Sequence, residues 1–248
     1  MKTTLRRILL GSCLALAAAL SAHAQKTVKL VTLDWEPYIG ASLPQQGFVA
    51  QIVKAAYQTQ GYEVVIEFQP WARAVAAAKD GIYDGLFPEY FDETRLADFV
   101  YSAPFPGGPV GFVKRKDNPI TFTTLEALKP YSIGVVRGYV NEAKFDQATF
   151  LKKQEADDDA MNLRKLAAKR LDLAVIDKYV AQYLLAHELS ALADALEFVE
   201  PPLEAKSLYI AFSKKAADQD EKRAAFDRGL AEIERNGTLQ AIVRAALP

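Results

Sequence analysis

The side chains in this 248-residue chain that could act on a small molecule are charged or aromatic rather than nucleophilic. Arg95 follows Asp92, whose carboxylate can accept the free N–H groups of a helical turn, so the guanidinium would project from that turn. A planar guanidinium binds a carboxylate through two parallel hydrogen bonds, while a surface ion pair with Glu93 or Asp98 is the plainer use of Arg95. Asp177 directly follows an apolar strand, where open α/β sheets meet their ligands, although the same carboxylate would also cap a helix over 178–188. Gly138, followed by Tyr139 and Val140, precedes another expected helix start, whose N–H groups and dipole favour an anion. Trp35 and Tyr38 lie in a first loop, Phe87, Glu89 and Tyr90 follow a short strand, and Trp71 and Arg73 open a helix. These residues could line one cleft, but aromatic side chains also dominate cores.

What is missing narrows the chemistry further. The sole cysteine is Cys13, and after residue 24 the sole histidine is His187, in a helical stretch where a surface position is the simplest reading. Disulfides and zinc thiolate sites are thereby excluded from residues 25–248, and a Ser-His-Asp triad would have to use His187. Catalysis by carboxylates or lysine stays open. The run Asp157, Asp158, Asp159 lacks the loop pattern of a calcium site and reads as a solvated helix start, so neither metal nor cofactor is expected.

The elements that would position these residues follow from periodicity. A strand over 28–33, a helix opening at Gln46 and Gly47, an alternating strand over 62–68, a helix from Trp71 to Asp80 and a short strand over 84–87 give βαβαβ. The order recurs: a strand over 131–136, a helix from Gly138 to about Gln147, a weak strand near 150–154, a helix over 156–169 and an apolar strand over 171–176. Two such units predict an α/β protein of two lobes, each a mostly parallel sheet flanked by helices. Extended segments at 109–113 and 207–212 predict two hinge strands, with Glu200, Pro201 and Pro202 as a stiff break. Helices over 218–235 and 238–246 would return to the first lobe, with Asn236 and Gly237 as a helix stop. The expected division is 1–24 export signal, 25–110 lobe I, 111–200 lobe II and 201–248 hinge return and C-terminal part of lobe I.

Residues 1–24 have the form of a cleavable signal peptide: Lys2, Arg6 and Arg7, an apolar run over 8–20, and Ala22, His23, Ala24 as the small-x-small site. An uncleaved anchor, or lipid attachment at Cys13, are the alternatives. The remaining 224 residues hold 27 basic and 31 acidic side chains, a balance that argues against nucleic acid as the partner.

Three stretches carry a resemblance. They are Gly81 to Gly85 followed by Asp92 to Phe105, with Thr94, Arg95, Ser102 and Pro104 in order; Ile133 to Gly138; and Arg170 to Asp177. With the turn Asn236 to Leu239, they resemble family 3 solute-binding proteins of ABC importers, the periplasmic polar amino-acid binders, over nearly all of 25–248. The resemblance implies a type II periplasmic-binding-protein fold, a monomer in the periplasm, a small polar or zwitterionic ligand and an inner-membrane permease as partner. It implies that Arg95 holds a ligand carboxylate and Asp177 an ammonium; the residue types themselves, not the resemblance, suggest Trp35, Tyr38, Arg73, Phe87, Glu89, Tyr90, Gly138, Tyr139 and Val140 around them. The chain departs from the pattern at two places. Tyr139 and Val140 stand where a Ser or Thr is usual, and bulky Phe87, Glu89 and Tyr90 stand where small hydroxyl residues are common. The expected function is therefore solute binding for import, without catalysis. A ligand sensor or orphan binding protein, and a dehydratase-like enzyme on the same fold, are the alternatives.

Overall fold

A computed structural model describes residues 26–246. The export segment assigned to residues 1–24 lies outside them. Two parallel triplets of strands form the framework. In the first half β1 (Lys26–Thr32) lies between β2 (Tyr62–Phe68) and β3 (Gly85–Glu89), parallel to both. In the second half β6 (Ser132–Val136) lies between β7 (Lys152–Ala156) and β8 (Leu173–Asp177), again parallel to both. β2 alternates in exposure as its sequence does, whereas β8 is buried at every position, as a strand covered on both faces must be.

Two long strands join the halves. β5 (Phe105–Arg115) pairs antiparallel with β8, and β9 (Leu196–Ser213) pairs antiparallel with β5, then with β3 and with the short β4 (Phe99–Tyr101). The sheet order is β2-β1-β3-β9-β5-β8-β6-β7. The expected break at Pro201 and Pro202 is not a break, because β9 runs through it. Register shifts there instead: Val199 pairs with Phe112 and Glu204 with Val110, so the two prolines, which cannot donate, sit where the ladder is interrupted.

Helices α1 (Phe48–Thr59) and α2 (Trp71–Lys79) connect the first triplet. α3 (Ala143–Gln147), α4 (Asp159–Ala167) and α5 (Lys178–Ala186) serve the second, and α6 (Gln219–Arg235) and α7 (Thr238–Ala246) end the chain. α6 packs on α1, where Phe226 meets Tyr57 and Gly229 lets the helix approach the Ala56 carbonyl. The helix expected from Gly138 starts five residues later, at Ala143, with Glu142 as its cap through Lys144 and Phe145 N–H. Gly138 itself has φ +77, a left-handed conformation that cannot continue into a helix.

Candidate ligand cleft

Of the charged residues, Glu89, Arg95 and Asp177 converge where the two halves face each other, as do most of the aromatic residues. Asp92 caps the 3-10 turn Glu93–Ala97, its Oδ1 accepting from Thr94 N–H at 2.8 Å. From that turn Arg95 reaches across and donates through Nη2 to the Gly138 carbonyl at 2.7 Å. The indole of Trp71 donates to the same carbonyl at 3.0 Å. Gly138 thus meets the first half with an acceptor, not with the N–H donors expected of a helix start.

Asp177 fills two roles at once. Its Oδ1 accepts from the N–H groups of Tyr179 and Val180, capping α5. Its Oδ2 accepts from the hydroxyls of Tyr38 at 2.9 Å and Tyr90 at 3.1 Å, both from the first half. Burial pushes the Asp177 carboxyl up to about 6, and these hydrogen bonds oppose the rise. Burial and the neighbouring charge hold the Tyr38 hydroxyl far above its ordinary pKa, so it remains a donor.

Glu89, at the end of β3, is 3% exposed. A register shift between Leu86 and Glu89 breaks the alternation of β3, so Pro88, Glu89 and Tyr90 all line one cavity while Phe87 packs into the core. Glu89 Oε2 lies 3.5 Å from Arg95 Nε and has no hydrogen-bond partner. Burial pushes its carboxyl up to about 7, with Arg95 working against the rise.

The cavity, of about 30 Å³, is lined by Trp35, Trp71, Tyr90, Tyr139 and Val140 beside Glu89. Trp35 stacks on Tyr38 and meets Tyr90 edge-on, and Trp71 meets Tyr139 edge-on. A second hollow of about 430 Å³ shares Trp35 and Tyr139 with the first and is bordered by Asp34, Glu36, Asp158, Asp159, Glu188 and Arg164.

Arg73 is exposed on α2 and lines neither hollow, because the helical spacing that turns Trp71 and Ala74 inward turns residue 73 out. The Asp157 to Asp159 run is only partly a solvated helix start. Asp157 pairs with Arg137, Asp158 caps α4 through Met161 N–H, but Asp159 is buried on the second hollow. Burial pushes its carboxyl up to about 7; the Trp35 indole N–H favours its charged form, yet falls short of hydrogen-bond geometry. Only the position of an acidic residue at a helix start could have signalled it. Among the described residues no group of three or more His, Cys, Asp or Glu is placed to hold a metal ion.

No curated protein sequence matches the chain significantly. Several solved structures share its fold. An ancestral arginine-binding protein bound to arginine superposes with TM-score 0.77 at 20% identity, covering 91% of this chain and 100% of that one. A histidine kinase sensor domain with similarity to periplasmic binding proteins gives 0.78 at 22% identity, over 90% and 97%. The GluR0 ligand-binding core from Nostoc punctiforme, in complex with L-glutamate, gives 0.74 at 17% identity, over 89% and 99%. The family model for bacterial extracellular solute-binding proteins, family 3, matches residues 29–247, and the chain belongs to that family.

Proposed function

We propose that the protein captures a small polar solute, an amino acid or amino-acid-like compound, in the cleft between its halves and delivers it to an ABC importer of the inner membrane. The observation that carries this reading is the set of polar contacts across the cleft: Arg95 and Trp71 to the Gly138 carbonyl, and Tyr38 and Tyr90 to Asp177. A solute that touches both halves shifts the balance between open and closed forms by its differential affinity for them, and a transport partner can read that shift. The arginine and glutamate in the related structures support a ligand of amino-acid size. The export signal read in residues 1–24 supports action in the periplasm, and the single chain suffices for the cleft. In this reading the buried acids bind and do not catalyse.

A second reading, a dehydratase-like enzyme on the same fold, draws on Glu89 and Asp159, whose carboxyls near 7 suit general acid–base work. Incubation with cyclohexadienyl acids would then yield new aromatic absorbance. For the leading reading the test is calorimetry of the protein without residues 1–24 against amino acids, amines and organic acids. Heat from one chemical class is expected. A folded sample silent toward all three would count heavily against it.

A further inference from the structure

We propose, resting on that reading, that the α-ammonium of an amino-acid solute is received by Glu89 and not by Asp177, which in this chain serves as a latch between the halves. A carboxylate has about four lone-pair sites, and four donors already occupy those of Asp177: the N–H groups of Tyr179 and Val180 and the hydroxyls of Tyr38 and Tyr90. Asp177 also borders neither hollow of the cleft. An ammonium would reach it only by displacing the phenols that tie the first half to the second.

Glu89 stands where Asp177 does not, on the wall of the smaller cavity. Its Oε2 is buried there without a hydrogen-bond donor, the 3.5 Å ion pair with Arg95 Nε aside, and an acceptor so placed costs free energy until a donor arrives. An ammonium beside it would lie among the rings of Trp35, Trp71, Tyr90 and Tyr139, whose faces attract cations. The charges that face Glu89 are Arg95, Asp92 and Lys206, with the Lys206 ammonium paired to Glu204, and the nearby phenols of Tyr101 and Tyr139 are held neutral by burial. Donors for the carboxylate of the same head group are close by. The Trp35 indole N–H is buried without a partner on a residue that borders both hollows. Arg95 gives one Nη2 N–H to the Gly138 carbonyl and turns Nε toward Glu89, which leaves others of its five N–H groups to bind. At about 30 Å³ the smaller cavity takes an ammonium-sized group, and the rest of the solute extends past Trp35 and Tyr139 into the hollow of about 430 Å³ that shares them.

Calorimetry of the protein without residues 1–24 against the twenty standard L-amino acids selects the tightest binder, and the same compound lacking its α-amino group is the second probe. Losing the α-ammonium is expected to weaken binding to wild type by about tenfold or more. In Glu89→Gln, checked for folding by circular dichroism, the same loss should cost less than about threefold, because the ammonium and Glu89 are coupled. In Asp177→Asn, which keeps an oxygen to cap α5, the cost should stay as in wild type. If Glu89→Gln weakens both probes equally, Glu89 serves only to orient Arg95 and the assignment is overturned. If Asp177→Asn is the variant that loses the discrimination, the ammonium belongs to Asp177. Where a variant does not fold, wild type decides: the ratio of the two affinities should rise between about pH 6 and pH 8 as Glu89 ionises, and a constant ratio overturns the assignment. Silence toward all twenty amino acids also overturns it; solute binding stands if amines or organic acids then give heat, and falls if they do not.

Discussion

Tyr38 and Asp177, 139 residues apart in the chain, meet across the cleft in a 2.9 Å hydrogen bond with the phenol as donor. The two residues sit on opposite halves, so this bond exists only while the halves are together. Tyr38→Phe keeps the ring that stacks on Trp35 but removes the donor. A hydrogen bond to a charged group contributes roughly 1.5–3 kcal/mol, here to the closed form alone. The ligand-free variant should therefore have a larger radius of gyration by small-angle X-ray scattering. An unchanged scattering profile would mean that closure does not depend on this pair.

Gly108, on β5, passes so close to the same pair that it has no room for a side chain. A Cβ there would run into the Tyr38 hydroxyl and stand 2.6 Å from Asp177 Oδ2. Gly108→Ala should open the cleft at least as far as Tyr38→Phe does. Because both changes break one contact, the double variant should show much less than additive loss of ligand affinity. Additive losses would place Gly108 outside the Tyr38–Asp177 unit.

The strands and most helices were legible because their apolar positions repeat at clear periods, as in Tyr62, Val64, Ile66 and Phe68. The start of α3 was not. Its loop, from Gly138 to Asn141, is held by the left-handed glycine and by Asp146, which accepts from Asn141 N–H at 2.7 Å, and neither feature has a periodic signature. In the cleft, the neighbourhoods of Glu89, Arg95 and Asp177 could be read from their places at strand and turn ends. Their partners across the cleft, Gly138 for Arg95 and Tyr38 and Tyr90 for Asp177, could not, because those bonds join residues far apart in sequence. Asp159 escaped notice for a simpler reason: three successive aspartates look alike, and only the packing of α4 shows which is buried.

Three buried carboxyls give the protein a pH-dependent stability of definite sign. Burial pushes Glu89 and Asp159 up to about 7 and Asp177 up to about 6. The unfolded chain has ordinary values near 4, so the folded form binds more protons between about pH 4 and pH 7. Stability from this source is fully present below about pH 4 and is lost as pH rises through the folded values. In the ligand-free protein, the loss attributable to each of these groups is of the order of a few kcal/mol, since each pKa unit corresponds to about 1.4 kcal/mol. Comparing wild type with Glu89→Gln by urea denaturation at pH 5 and pH 8 isolates one contribution: the variant should gain relative to wild type at the higher pH. A constant difference would show that Glu89 does not titrate in this window.

Gly229 tests how the chain's end is fastened to the first half. In the middle of α6, alanine would ordinarily favour the helix by about 1 kcal/mol. Here a Cβ would collide with the Ala56 carbonyl of α1 and lie 3.0 Å from Thr59 Oγ1, so the helices would have to separate. Backbone cannot turn aside as a side chain can, and the clash should win, with Gly229→Ala destabilising by roughly 1–3 kcal/mol. The urea midpoint should fall while the slope stays constant. Gly61→Ala is the comparison: at φ +73 with nothing within 4 Å of its Cβ, it carries only the conformational cost, about 1–2 kcal/mol. If Gly229→Ala proved stabilising, α6 could not lie on α1 at this distance, and the path by which β9 returns the chain to the first half would need redrawing.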